Sequence, residues 1–140
     1  ARAIPALAPT LTVEQVACPL FVPLVEEGWF SHPAAVLIAQ EYLGALSQAR
    51  VDTLVLGCTH YPLLKPLLGR VMGDDVRLID SAEETAKAVA QTLGEQGLGA
   101  ASGDPVYHRF VVSDDEPRFR QVGSRFIGEK LISAEVVALG

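Results

Sequence analysis

Short apolar runs alternate along the chain with longer segments whose apolar residues recur at helical spacing, and this alternation predicts most of the elements. Val13–Cys18 reads as a strand ended by Pro19, and Phe21–Gly28 as a short helix or turn closed by Gly28. Pro33–Ala49 predicts a helix, because Ser31 or His32 can cap it and proline suits the first helical position. Asp52–Gly57 is a near-continuous apolar run, the pattern of a strand buried on both faces of a parallel sheet. Pro62–Met72 follows as a helix with Gly73 at its C-terminal cap, and Val76–Asp80 as a second buried strand. Ser81 and Glu84 have the spacing of a capping box for a helix running to about Leu93, with Asp80 and Ser81 as its cap. The Gly/Ala/Ser-rich stretch Gly94–Asp104 is the best boundary candidate. Beyond it, Val106–Asp114 alternates as an edge strand would, Asp114 and Asp115 open a helix over Pro117–Gly128, and Ala134–Ala138 predicts a last short strand. Strand–helix alternation of this kind gives an α/β fold, a mostly parallel sheet with helices on both faces.

Composition narrows the class of partner. The chain has 140 residues, 49% apolar and 20% charged, enough for one ordinary globular core. A net charge of −6 and a pI near 4.9 argue against nucleic acid or an anionic membrane as partner, since either favours a basic patch. The apolar runs are too short to span a bilayer, and the first residues lack the apolar core of a secretory signal. Two cysteines make no disulfide framework, which places the chain in a reducing cytoplasm. The absence of an initiating Met fits a fragment.

The chemistry gathers where the first buried strand ends. Open parallel sheets bind ligands beyond the C-terminal ends of their strands, and Gly57, Cys58, Thr59 and His60 lie there, before a helix opening near Pro62. A helix N-terminus favours negative charge, and His60 can either stabilise a Cys58 thiolate or take its proton. Gly57 lets the backbone approach a ligand, and Thr59 offers a hydroxyl and an N–H that can hold a carboxylate. The same residues fit a plainer reading, in which Cys58 is a small buried hydrophobe and His60 a helix cap. A zinc site using Cys58, His60 and Cys18 has no matching ligand spacing. A cysteine hydrolase with His60 as base puts the two partners unusually close in sequence. Ala17–Gly28 is the second notable stretch: Cys18 follows the first strand, and Glu26 and Glu27 precede Gly28. Composition does not separate the two glutamates, although Glu27 reads as solvated. His32 is read as a helix-entry residue and His108 as a strand residue of ordinary exposure.

Leu54–Leu64, "LVLGCTHYPLL", together with "ACPLFVPLVEEG", closely resembles the second half of the bacterial glutamate racemases, within the aspartate/glutamate racemase superfamily. "LIDSAEETA" and "FVVSDDEPRF…FIG" look like the same family in the same order, so the resemblance runs from about Val13 to Val137. It implies a two-lobed fold with the active site between the lobes, residues 1–79 belonging to the second lobe and 80–140 returning to the first. It also implies an amino-acid racemase that needs no cofactor or metal. One cysteine thiolate takes the α-proton and a second thiol returns one on the opposite face. Cys58 matches the base that acts first on L-glutamate, His60 assists its proton transfers, and Thr59 contacts the substrate together with Cys58 and His60. Glu26 matches a family carboxylate on the same side of the site. The role carried over for the parent enzyme is supply of D-glutamate for peptidoglycan, and so for cell-wall biogenesis and cell shape. Its expected setting is a cytoplasmic homodimer with no nucleic-acid or membrane partner.

The departures bear on activity. The family's first half carries an Asp-Ser motif and the other catalytic cysteine in an Asn-Thr-Ala context, and neither occurs in these 140 residues. Cys18 matches a different family position. The resemblance therefore implies a C-terminal portion that is inactive alone. The competing functions are a sibling racemase acting on aspartate or a hydantoin, and a non-catalytic glutamate-binding or interaction module.

Overall fold

The computed structural model describes residues 3–100, 103, 105–128 and 133–138. It consists of helices α1 (Ala3–Leu7), α2 (Phe21–Glu26), α3 (Pro33–Gln48), α4 (Lys65–Met72), α5 (Ser81–Glu95) and α6 (Glu116–Ile127). The strands are β1 (Thr53–Leu56), β2 (Arg77–Asp80), β3 (Val111–Val112) and β4 (Glu135–Val136), and a 3₁₀ turn covers Tyr61–Leu64. All described pairing is parallel: β1 with β2, Leu56 opposite Asp80, and β3 with β4. The α/β class with parallel strands is therefore as expected. The chain forms two compact units, one up to Ser81 and one from Ala82 onward. The division falls where α5 begins, not in the glycine-rich connector.

The first unit holds the core. α3 starts where His32 Nδ1 accepts a hydrogen bond from the Ala34 N–H at 3.1 Å, which settles the cap in favour of the histidine. Its buried positions, Ala35, Ala39, Leu43 and Leu46, recur at three- and four-residue steps on one face, which packs against α4. The small residues on that face let the elements approach closely. Phe21, Val25, Leu64, Leu67 and Leu68 complete the packing, each at most 2% exposed. α4 ends at Gly73, whose φ of +91° strains any other residue.

Three expectations are corrected. Residues 13–18 form no strand: Val16 is 38% exposed, and an extended preference without a neighbouring ladder is not a strand. β1 is buried on one face only, since Leu56 is buried while Val55 on the other face is 54% exposed. The strand expected over 106–114 shrinks to Val111–Val112. His108 lies outside it, its ring stacked 6.3 Å from Phe110.

The second unit is built differently. None of its described residues is buried, and α5 is exposed along its whole length. α6 begins at Asp115, whose carboxylate accepts from the Arg118 N–H at 3.1 Å, so the expected acidic opening is present. Arg109 pairs with Glu135 at 2.6 Å beside the β3–β4 ladder, a contact exposed enough to be worth little alone.

Candidate active site

Parallel pairing puts the C-terminal ends of β1 and β2 on one edge of the first unit, and the candidate residues collect there. Cys58 is half-buried, two residues beyond Leu56, in a bend that leads into the 3₁₀ turn. The helical start after Cys58 is thus a tight turn rather than the first turn of a long helix, so the charge it offers an anion is smaller than the sequence suggested. A Cβ added at Gly57 meets no atom within 4 Å, so the fold itself makes no demand for glycine there.

His60 joins the two stretches singled out in the sequence. Its Nε2 lies 3.7 Å from Glu26 Oε1, an ion-pair separation when the ring is protonated. Its Nδ1 lies 3.3 Å from the Thr59 hydroxyl. With Nε2–H facing the carboxylate, a neutral ring accepts from Thr59 through Nδ1, whereas an imidazolium donates at both nitrogens. Each ring nitrogen therefore has a neighbour other than the Cys58 thiol. Nor is the His60 side chain a cap for the turn that follows it. The ambiguity between Glu26 and Glu27 resolves in space, because Glu26 faces His60 from the end of α2 while Glu27 is exposed.

Cys18 sits in the core at 8% exposure, and burial pushes its thiol up from the ordinary value of 9.0. A thiol held protonated in an apolar setting is a packing residue. Among the described residues no group of three His, Cys, Asp or Glu side chains lies close enough to hold a metal ion.

Two side chains at this edge received no site role from the sequence. The Tyr61 hydroxyl donates to the Cys18 carbonyl at 3.1 Å. Its phenol is pushed up from 10.0, first by burial and then by electrostatic interaction with Cys18, Cys58 and Tyr42, so it stays a donor. Lys65 pairs with Asp80, which is 4% exposed at the end of β2. Asp80 was expected as a helix cap, but its burial beside an ammonium group gives it a load in the first unit as well. No local pattern betrays either contact, because Tyr61 and Cys18 are 43 residues apart.

No family model matches the chain. Individual relatives do. The glutamate racemase of Syntrophus aciditrophicus is 52% identical over 139 residues, covering 99% of this chain and 52% of the relative. Glutamate racemase isoform RacE1 from Bacillus anthracis superposes with a TM-score of 0.85 at 34% identity, over 99% of this chain and 51% of that one. The Francisella tularensis glutamate racemase, solved in complex with D-glutamate, gives the same TM-score at 33% identity over 98% of this chain and 51% of its own. The chain spans about half the length of the relatives it matches. No described helix is long and apolar enough to cross a membrane. Identity near one half, over essentially every residue and on the same fold, makes this chain similar to about half the length of the glutamate racemases.

Proposed function

We propose that the chain is the C-terminal portion of a cofactor-independent glutamate racemase, with Cys58 as one of its two proton-transfer groups. The observation that carries this reading is the gathering of Cys58, Thr59, His60 and Glu26 at one sheet edge. The Cys58 thiolate takes the α-proton of L-glutamate, forming an S–H bond as the Cα–H bond breaks. A second thiol, outside these 140 residues, delivers a proton to the opposite face. In the reverse direction the two groups exchange roles. His60 holds or relays a proton beside Cys58, and Glu26 lies across its Nε2 side. The Thr59 hydroxyl orients the ring and reaches a substrate carboxylate.

The likeness to an enzyme solved with D-glutamate supports glutamate over aspartate or a hydantoin. Residues 1–79 belong to the lobe carrying Cys58 and 80–140 return to the first lobe. The lack of any buried residue among the described ones after Ser81 supports that division. The parent enzyme supplies D-glutamate for peptidoglycan in the cytoplasm, as a homodimer. Circular dichroism with L- and then D-glutamate, no cofactor added, tests the reading. The 140 residues alone are expected to be inactive, and the full gene product active until Cys58→Ala abolishes the signal. Racemisation by the short chain, or by the Cys58→Ala protein, overturns it.

A further inference from the structure

The Cys18 carbonyl accepts two hydrogen bonds: from the Phe21 N–H at 3.1 Å, which opens α2, and from the Tyr61 hydroxyl at 3.1 Å. The Tyr61 ring also stands edge-on to Phe21, with centroids 5.3 Å apart and planes at 83°. Phe21 is 2% exposed and meets Tyr42 in the same manner at 5.4 Å. Tyr61 is thus fixed to the entry of α2 through both hydroxyl and ring. The next residue back, His60, reaches Glu26 at the exit of the same helix. Two consecutive residues of one turn therefore grip the two ends of one short helix.

We propose that Tyr61 is a positioning residue for racemisation: its hydroxyl, bonded to the Cys18 carbonyl, fixes the turn so that His60 faces Glu26 beside Cys58. This rests on the catalytic reading of Cys58 and His60 given above. The backbone of His60 starts the 3₁₀ turn, its carbonyl accepting from the Leu63 N–H at 3.2 Å, so the turn rotates as one piece. With the phenol unanchored, the imidazole swings on the same backbone that Tyr61 no longer holds. Phenylalanine keeps the ring on Phe21 and removes only the donor.

The test is Tyr61→Phe in the full-length gene product, with solvent-deuterium entry into L- and D-glutamate as a sensitive measure of rate. The expected result is a fall in kcat of about tenfold in both directions with KM changed by less than about twofold, because a small misplacement of a proton-transfer group slows the step rather than binding. In a Glu26→Gln background, where His60 has lost the partner it was aimed at, the same change is expected to cost less than about twofold. Wild-type kcat in Y61F overturns the proposal, as does an undiminished tenfold loss in the E26Q background. So does a Y61F protein without its near-UV signal, which marks a merely structural tyrosine. Cys58→Ala separates the two ideas: retained activity there defeats the racemase reading and this one with it. Loss there beside a wild-type Y61F defeats the tyrosine alone.

Discussion

The two units of this chain are built from similar elements and differ in what those elements bury. Up to Ser81, α3 and α4 close over a core that includes Phe21, Leu64, Leu67 and Leu68, all at most 2% exposed. After it, α5 and α6 have the sequences of amphipathic helices, yet Val89 is 51% exposed, Leu93 40% and Phe126 41%. Helical propensity, caps and i,i+4 pairs such as Lys87 with Glu83 are sufficient to write a helix into a sequence. They do not supply a surface for it to pack on. The first unit carries its own packing and the candidate site, whereas none of the described residues of the second is buried.

That contrast can be broken most directly by truncating leucines. Leu67→Ala is expected to cost about 2–5 kcal/mol, the usual cost of opening a cavity in a packed interior. Leu93→Ala in the same chain is expected to stay within about 0.5 kcal/mol, as exposed substitutions do. Urea unfolding of both variants measures the difference, and equal costs erase the distinction. Next in size is Lys65→Met, which takes the ammonium from the buried Asp80 carboxylate. The full loss for a broken buried pair is about 3–5 kcal/mol, and partial exposure of Lys65 reduces it here to about 2 kcal/mol. A Tm unchanged by this substitution shows that the first unit does not depend on the pair.

Thiol chemistry sharpens the comparison within the first unit. Iodoacetamide is expected to label half-buried Cys58 about tenfold faster than Cys18, whose thiol is buried and pushed up from its ordinary value by that burial. Peptide mapping of the alkylated chain reads the ratio, and preferential labelling of Cys18 contradicts the packing role given to it. The smallest expected effect is on pH dependence. Burial raises the folded-state values of Cys18 above 9.0 and of Tyr61 above 10.0, so the folded chain retains protons that the unfolded one releases. Stability from these groups is intact below about pH 9 and falls as pH rises through their folded values. Urea midpoints between pH 7 and 10.5 should decline only at the alkaline end, and a midpoint that rises there contradicts the sign.

What the sequence made legible follows the range of the interactions. α3, α4 and α6 were readable because their signals are local: a proline at the start, a glycine past the end, Asp115 reaching Arg118 three residues on. Cys58 at the end of β1 was readable because an apolar run followed by Gly-Cys-Thr-His is itself a local pattern. The strand expected at 13–18 failed because pairing depends on a neighbour, which the residues themselves do not encode. Glu26 could be told from Glu27 only once α2 was turned toward His60. Tyr61 on Cys18 was invisible, since a phenol and a carbonyl 43 residues apart leave no periodicity.

Val55 has a consequence for handling this protein. Parallel strands are ordinarily sealed on both faces and flanked on both sides. Among the described residues β1 and β2 pair only with each other, and the valine side of β1 faces outward. Such a ribbon is an adhesive edge, a template on which another extended segment can lay down a ladder. The 140-residue chain should therefore self-associate as its concentration rises, scattering light before it unfolds, and a lysine at Val55 should keep it in solution.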